Sequence, residues 1–440
     1  MRQVWIAFFI AFISMACTSH ARVRIDLSNP SADPLPLAVP LFDTSIGTEP
    51  QLGRDIADVI FGNFKNSALF RVIDRQAYLQ DARILNEKGP TYADWRMINT
   101  DAIVTGNVAR VTEGGTAKIR VDFRLYDVQD EKQLIGRRYT VEEKFWRHLS
   151  HRISDDIYQA LTGESGYFAT RIVHIGEEPG FGGQTVKRLC VMDQDGANYQ
   201  CLTSGAHLVL TPRFDRDSQK IIYMSYANGL PRLYLLDLPT GKQEIVGDFE
   251  GLNSSPRFSP EANIVAMTLT KGHEGNPEIY TMDLRTRQLN RLTDHRGIDT
   301  SPDFSPDGKQ VVFNSNRGGN PALYIMNTDG SNLRRLTFGT GKYFAPVWSP
   351  RGDLIAFVKS QGGVFHIGVI DVDGTEERLL TDSYMDESPT WSPNGRVLAF
   401  ARQVRGGKTK VYSIDLTGHN LRELPTPRNA SDPAWSPLIQ

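Results

Sequence analysis

The sequence predicts an α+β N-terminal domain followed by an all-β six-bladed propeller that the C-terminal strand closes. Three observations predict this fold class: a motif that repeats through the second half of the chain, strand patterns inside each repeat, and incomplete repeats at both ends of the array. The clearest copy is SPDFSPDGKQVVFNS at residues 301–315. Its apolar Phe304, the turn dipeptide Asp307-Gly308 and the apolar run at 311–313 predict a strand, a tight turn and a second strand.

Copies of this motif recur with a nearly constant period. They are TPRFDRDSQKIIY, SPRFSPEANIVAM, APVWSPRGDLIAF, SPTWSPNGRVLAF and a truncated DPAWSP. The aligned prolines are 44, 46, 44, 43 and 44 residues apart: Pro212, Pro256, Pro302, Pro346, Pro389 and Pro433. In each complete repeat a third strand, such as residues 323–326, leads into a fourth. A strand-rich period of about 40 to 50 residues is typical of a propeller blade with four strands.

The two ends of the array predict one shared blade. The last copy stops just after its innermost strand, while residues 170–175 and 188–192 look like second and third strands with no first strand before them. We therefore expect the C-terminal strand to complete the blade that begins near residue 170. This closure gives six blades and removes the free sheet edges that would otherwise invite pairing with other chains.

Residues 1–21 have the pattern of a secretory signal peptide, with an apolar run at 4–15 and small residues at the end. Cleavage after Ala21 would leave Arg22 as the mature N-terminus. An alternative is lipidation of Cys17, although residues 14–16 match the usual lipidation pattern poorly. No other apolar run is long enough to cross a bilayer, and a net charge of −2 gives no electrostatic case for nucleic acid. We expect a soluble monomer in an exported compartment, without direct membrane insertion.

Residues 22–163 contain no copy of the motif and predict a separate α/β domain, with the propeller occupying 164–440. Residues 22–27 alternate between charged and apolar, as in a strand, before prolines interrupt the pattern. Residues 119–125 alternate in the same way. Two amphipathic helices are predicted, with the stripes Leu52, Ile56, Ile60 and Phe64 in one, and Phe145, Leu149, Ile153 and Ile157 in the other, which ends at Gly163.

Cys190 and Cys201 remain after removal of the signal peptide, an even pair in an oxidising setting. If Asp195-Gly196 is a two-residue hairpin turn, the two cysteines face each other across neighbouring strands, and a disulfide is geometrically plausible. A longer turn would shift the register and leave two separate buried thiols. The sequence leaves both alternatives open.

Motifs that carry enzyme chemistry are absent from the sequence, which has neither a G-x-S-x-G nucleophile elbow nor a glycine-rich phosphate loop. His148 and His151 could share a metal, but no third ligand is identifiable, so a solvated helix face is the preferred interpretation. No blade shows an acid or histidine that departs from the repeat at an axial position. We therefore expect a non-enzymatic protein with no cofactor and no resident metal.

Two further patterns have structural explanations. Asp193-x-Asp195-Gly196 resembles the opening of a calcium loop but lacks the downstream glutamate, so an ordinary turn is predicted. The aromatic residue of each repeat could suggest a ligand cage, but its regular placement predicts packing between blades. These residues are Phe258, Phe304, Trp348 and Trp391.

The order of these segments resembles one known family. The residues that carry the resemblance are LTG at 161–163, GYFATRI at 166–172, the SPxWSPDG-type repeats and PAWSPL at 433–438. With the signal peptide and the α/β domain, they resemble the TolB family of the periplasmic Tol-Pal system over essentially the whole chain. Departures are the degenerate repeat at 214–217 and the cysteine pair. The resemblance implies a scaffold that binds the lipoprotein Pal through the propeller and the inner-membrane protein TolA through the mature N-terminus, supporting outer-membrane integrity and constriction at cell division.

The alternating pattern at the mature N-terminus and the prolines that follow it suit a detachable strand, and the resemblance implies that this segment binds TolA. It would add to an exposed sheet edge of TolA, where main-chain hydrogen bonds provide affinity. On the pattern alone, an edge strand of the protein's own domain is the alternative. The residues are Arg22, Val23, Arg24, Ile25, Asp26 and Leu27.

Pal contacts are expected in the loops that precede each repeat, which emerge together on one face and differ most between copies. These loops mix aromatic residues with carboxylates and amides, the composition of an interface. The resemblance implies Asn253, Thr300, Asp386 and Glu387, to which we add Phe344. The alternative is that these loops are ordinary solvated turns.

A periplasmic hydrolase or lyase that uses the propeller channel is the alternative function.

Overall fold

The structure is a computed structural model of the 440-residue chain. It describes residues 25, 33–44, 48, 50–216, 219–227, 229–249, 253–271, 275–405 and 407–439. The predicted signal peptide lies outside the described residues, as does the predicted TolA-binding segment except for Ile25. Among the described residues, no helix is both long enough and apolar enough to cross a membrane.

The N-terminal domain is a six-stranded sheet with four helices. The strands are β1 Leu35–Ala38, β2 Asp43–Thr44, β3 Phe70–Val72, β4 Ala102–Glu113, β5 Thr116–Asp127 and β6 Lys132–Glu142, and the helices are α1 Pro50–Lys65, α2 Ala82–Lys88, α3 Tyr92–Met97 and α4 Trp146–Thr162. The sheet order is β3-β1-β4-β5-β6, with β2 beside β4. Strands β4 to β6 form an antiparallel meander, whereas β1 runs parallel to β3 and β4.

Helices α1 and α4 pack together over one face of this sheet and bury most of the predicted stripes. Leu52, Ile56, Ile60 and Phe64 are all buried, as are Ile119, Val121, Phe123 and Leu125 on the facing strand β5. Gly163 ends α4 in a left-handed conformation with φ 81°, as predicted. The prediction for Phe145 is wrong, because this residue precedes the first turn of α4 and is 47% exposed.

Strands β7 to β30 form six four-stranded blades within the described part of the chain. Blade 1 contains β10 Val209–Phe214, β11 Lys220–Ser225, β12 Arg232–Asp237 and β13 Gln243–Gly247; blade 2, β14 Asn253–Phe258, β15 Ile264–Thr270, β16 Pro277–Asp283 and β17 Leu289–Arg291; blade 3, β18 Asp299–Phe304, β19 Gln310–Ser315, β20 Ala322–Asn327 and β21 Arg334–Arg335; blade 4, β22 Lys342–Trp348, β23 Leu354–Gln361, β24 Val364–Asp371 and β25 Arg378–Leu379; blade 5, β26 Met385–Trp391, β27 Val397–Gln403, β28 Thr409–Asp415 and β29 Arg422–Glu423.

Blade 6 confirms the predicted closure. It contains β30 Asn429–Trp435, followed outward by β7 Arg171–Pro179, β8 Thr185–Asp193 and β9 Gln200–Cys201. Strands β30 and β7 pair in antiparallel register, with Trp435 opposite Ile172 and Asn429 opposite Glu177. The fold class predicted from the sequence is therefore confirmed.

Each innermost strand is interrupted by a β-bulge at the residue before the repeat proline. The pairing of every innermost strand with its neighbour shifts register at this point. These six residues have φ between 45° and 56°, a backbone conformation that residues other than glycine rarely adopt. They are Thr211, Ser255, Ser301, Ala345, Ser388 and Asp432. Because the bulge recurs in all six blades, it sets which side chains of the innermost strands reach the channel.

Cys190 and Cys201 form a disulfide between β8 and the outermost strand β9. The assumed two-residue turn is wrong, because Asp193 N–H donates to the Ala197 carbonyl across a three-residue turn. One additional residue in the following segment, where Asn198 has φ 53°, restores the register that places the cysteines opposite each other.

Candidate functional site: the two faces of the propeller

The antiparallel order of each blade gives the propeller two different faces. One side of the propeller is called the upper face. It carries two classes of loop: those that join the fourth strand of one blade to the first strand of the next, and those that join the second strand of a blade to its third. We call lower face the side that carries the turns joining first to second and third to fourth strands. Alternating strand direction requires this separation.

The N-terminal domain packs against the lower face. Arg351 pairs with Glu164 at 2.5 Å, and the Asn394 amide donates to the Ser165 carbonyl at 3.0 Å, both from turns between first and second strands. From turns between third and fourth strands, Gln194 donates to Asn63 at 2.9 Å and Asn420 donates to the Asn66 carbonyl at 2.8 Å. The upper face therefore points away from the N-terminal domain.

The predicted solvated face around His151 is wrong, because this residue lies buried between the two domains. Its Nδ1 is 3.0 Å from the Asn63 amide nitrogen, and burial lowers the pKa of His151 to about 4. Its Nε2 lies 3.7 Å from an oxygen of Asp195. His148 is partly buried on the same helix.

His151, Asp193 and Asp195 are close enough to hold a metal ion, with candidate ligand atoms within 4.8 Å of one another. Two arginines already compensate the carboxylates: Arg147 pairs with Asp195, and Arg171 lies 3.9 Å from Asp193. Because the imidazole is neutral, the charges of this group balance without an ion. It is best explained as a polar contact between the domains.

Asp386, a predicted Pal-binding residue, is fully buried at the upper end of β26. Both of its carboxylate oxygens accept hydrogen bonds from Arg402, each at 2.7 Å. The guanidinium lies over the rings of Phe400 and Tyr412. The carboxylate of Asp386 is thus occupied inside the protein instead of being free for a partner.

The equivalent position of blade 3 has the same arrangement. Asp299 is fully buried and pairs with Arg317 at 2.5 Å, and that guanidinium lies over Phe313 and Tyr324. The repetition indicates that this carboxylate and arginine pair is part of the blade architecture.

The other predicted Pal-binding residues also lie near the upper ends of the innermost strands. Thr300 accepts a hydrogen bond from Asn314 at 2.8 Å, and Phe344 is half-buried against the hydrophobic cluster of blades 4 and 5. Glu387 is exposed, and partial enclosure near Asp432 raises the pKa of its carboxyl group. Asn253 pairs through its backbone with Leu269. Topology thus brings the four residues to the mouth of the channel on the upper face.

Exposed apolar side chains on the upper face were missed by the sequence analysis. Phe181 is fully exposed and Phe338 is 75% exposed. Four more lie in the same two classes of loop: Leu208, Leu230, Ile298 and Val404. The sequence does indicate exposure at two of these positions, where a large apolar residue stands beside glycine between two strands. These are Gly-Phe-Gly-Gly at 180–183 and Phe-Gly at 338–339. Exposed apolar residues grouped on one face are typical of an interaction surface.

The channel contains charged residues that the sequence analysis did not expect. The residue after each repeat proline lines a cavity at the lower end of the channel: Arg213, Arg257, Asp303, Val347, Thr390 and Ala434. The expectation that no acid departs from the repeat at an axial position is therefore wrong, because Asp303 does so. No histidine lines this cavity among the described residues.

We predict that Asp386→Ala lowers the free energy of unfolding by about 3 to 5 kcal/mol, because it leaves the enclosed guanidinium of Arg402 without its partner. Chemical denaturation measures this change. Glu387→Ala, at the exposed neighbouring position, is the control and should change stability by less than about 0.5 kcal/mol. Equal stability of the two variants would contradict the structural role of Asp386.

Comparisons with known proteins agree with this architecture. A family model described as the TolB beta propeller domain matches residues 158–439, and one described as the TolB amino-terminal domain matches residues 23–134. The chain is 47% identical to the Tol-Pal system protein TolB of Paramagnetospirillum magneticum over 245 residues, which are 56% of this chain and 54% of that protein. It is 45% identical to the protein of the same name from Rickettsia canadensis over 267 residues, or 60% of this chain and 59% of that protein.

Each of these two alignments spans less than two thirds of the relative's length. The structural match is more complete. The crystal structure of TolB from Acinetobacter baumannii superposes with a TM-score of 0.81 and 31% identity, covering 93% of this chain and 98% of that one. Because the propeller model matches more than half of the chain and the structural match spans nearly all of it, this chain belongs to the TolB family.

Proposed function

We propose that this protein is a non-enzymatic periplasmic component of the Tol-Pal system. In this proposal it binds Pal through the upper face of the propeller and TolA through its mature N-terminus, and it supports outer-membrane integrity and constriction at cell division. Membership of the TolB family supports the assignment to this system. The observation that carries the Pal proposal is the concentration of exposed apolar side chains on the upper face, opposite the N-terminal domain.

The composition of the upper face suits a protein partner. Phe338 and Ile298 provide apolar anchors in the loops before blades 4 and 3, and Glu387 provides a charge on the same face, on the innermost strand of blade 5. Buried apolar anchors surrounded by polar groups contribute most of the binding free energy in protein interfaces. Asp386 has a different role in this proposal, because its pairing with Arg402 fixes the strand that carries Glu387.

The N-terminal segment is proposed to dock weakly on its own domain until TolA binds. Ile25 N–H donates to the Leu161 carbonyl at 2.9 Å, in the last turn of α4, and its side chain contacts the N-terminal core. A backbone hydrogen bond of this kind contributes about 1 kcal/mol to the docking of the segment. Hydrogen bonds between the segment and a sheet edge of TolA can replace this contribution.

The alternative function, a hydrolase or lyase that uses the channel, has less support. Asp303 is the axial carboxylate of the cavity, but one of its oxygens accepts a hydrogen bond from the backbone N–H of Trp348 at 2.7 Å, and the other faces Arg257. A general base needs a free carboxylate or imidazole within reach of substrate.

We predict that Ile298→Ala and Phe338→Ala each weaken binding of the soluble domain of Pal by more than about 1 kcal/mol, or more than about fivefold in Kd. Titration calorimetry measures the affinity, and thermal unfolding should stay unchanged. Ile245→Ala is the matched control, since Ile245 is 43% exposed on the outer strand β13 and Ile298 is 48% exposed. If the control weakens binding as much, or neither upper-face variant weakens it, Pal does not bind this face.

We predict that deletion of residues 22–27 from the mature chain abolishes TolA binding and leaves Pal affinity unchanged, because Ile25, the described residue of this segment, contacts α4 and not the upper face. The melting temperature should fall only slightly, since the described contacts of the segment are those of Ile25. Both affinities and the melting temperature are measured on the same preparation. Loss of both partners together with a large loss of stability would instead make the segment an integral edge strand.

A further inference from the structure

The cavity at the lower end of the channel combines arginine side chains that make few hydrogen bonds to the described residues with apolar walls. Its volume is about 240 Å³. It is separate from the upper face, because its walls include the turns that join first to second strands at Pro350 and Pro393, together with Pro437 just after the lower end of β30.

Three arginines from blades 1 and 2 line one side of this cavity. Arg213 makes one hydrogen bond with the described residues, to the Pro212 carbonyl at 2.6 Å. Arg257 donates to the Pro256 carbonyl at 3.1 Å, and its Nε lies 3.7 Å from Asp303, beyond hydrogen-bond distance. Arg216 reaches the Phe304 carbonyl only at 3.5 Å. Since each guanidinium carries five N–H donors, most of these donors have no acceptor among the described residues.

The carboxylates nearby are only partly available to these arginines. Asp303 accepts a hydrogen bond from Trp348 N–H, and Asp215 accepts from Lys220 N–H in its own turn. Asp432, above the cavity on β30, accepts from the Ser388 hydroxyl. Burial and the neighbouring Arg257 lower the pKa of Arg213 to about 9, so Arg213 remains charged at neutral pH, and the two guanidinium groups repel each other. An anion between them would relieve this repulsion.

The opposite side of the cavity is apolar. Trp348, Trp391 and Trp435 line it together with Val347 and Ala434. The indole N–H groups of Trp391 and Trp435 are occupied, by the Val347 carbonyl at 3.0 Å and the Thr170 hydroxyl at 2.8 Å. These rings therefore offer carbon surface to a ligand instead of hydrogen bonds.

We propose that this cavity binds a carboxylate that carries a compact apolar group. The carboxylate would lie between Arg213 and Arg257, in the bidentate geometry that guanidinium groups favour. The apolar group would pack on the tryptophan wall. The source of this ligand is either a free small carboxylate or the C-terminal residue of a peptide.

The blades themselves provide the test variant. Thr390 occupies in blade 5 the position that Arg213 occupies in blade 1, so Arg213→Thr introduces a residue this fold already accepts there. The probe is phenylacetate, followed by intrinsic fluorescence because three tryptophans line the cavity. Phenylacetamide, which has the same shape without the charge, is the control ligand. The control variant is Arg232→Gln, because Arg232 is a half-buried arginine on β12 that pairs with Asp248 and does not line the cavity.

We predict saturable phenylacetate binding that Arg213→Thr weakens at least about tenfold and Arg232→Gln leaves unchanged, with phenylacetamide at least about tenfold weaker. Arg213→Thr should unfold at the same or a higher temperature, because it removes one of two facing like charges. Tighter binding of N-acetyl-L-phenylalanine than of phenylacetate would identify a peptide C-terminus as the source, and the reverse order a free carboxylate. The proposal is overturned if phenylacetate does not saturate at millimolar concentrations, if the amide binds equally well, or if Arg213→Thr retains the affinity.

Discussion

The pairing of β30 with β7 is the interaction on which the rest of the structure depends. It joins the C-terminal strand to the segment that directly follows the N-terminal domain, and so closes the ring of blades. The same strand contributes to the contact between the two domains. Trp435 donates to the Thr170 hydroxyl, and its ring packs edge to face against Tyr167. Tyr167 in turn contacts Tyr158 of α4, so one hydrophobic cluster runs from the N-terminal helices into the propeller.

This closure also determines which surfaces remain for partners. With the N-terminal domain held on the lower face by contacts such as Arg351 to Glu164, the upper face is left open on the far side of the ring. The proposed partner sites therefore lie on different parts of the molecule: Pal on the upper loops, and TolA at the segment that Ile25 anchors to α4. The repeated bulge before each proline adds a third region, because it brings the six residues after the prolines to one cavity.

The sequence predicts those parts of the fold that arise from periodic packing. The repeat spacing predicts six blades and the shared closing blade, and the stripe from Leu52 to Phe64 predicts a buried helix face, since burial requires regular apolar positions. Long-range polar partners are not visible in such a pattern. The sequence pattern predicts a loop carboxylate at Asp386, because it does not show the partner Arg402 on the next strand. It predicts a solvated His151, because the partner Asn63 is 88 residues away in the chain.

The candidate sites show the same limit. Asp303 and Arg213 visibly depart from the repeat once the prolines are aligned, but the sequence alone does not show that the bulge brings them to one cavity. Exposed Phe181 and Phe338 look like ordinary apolar residues until the two classes of loop are known to share a face. In both cases the missing information is the direction in which a side chain points, which tertiary contacts determine.

Ring closure is tested most directly by calorimetric unfolding of a chain truncated before Asp432, compared with a chain that lacks only Gln440. The truncated chain loses the pairing with β7 and the contacts of Trp435, so it should unfold at least about 5 °C lower than the control. Unfolding of both chains at the same temperature would show that β30 does not hold the ring and its two faces together.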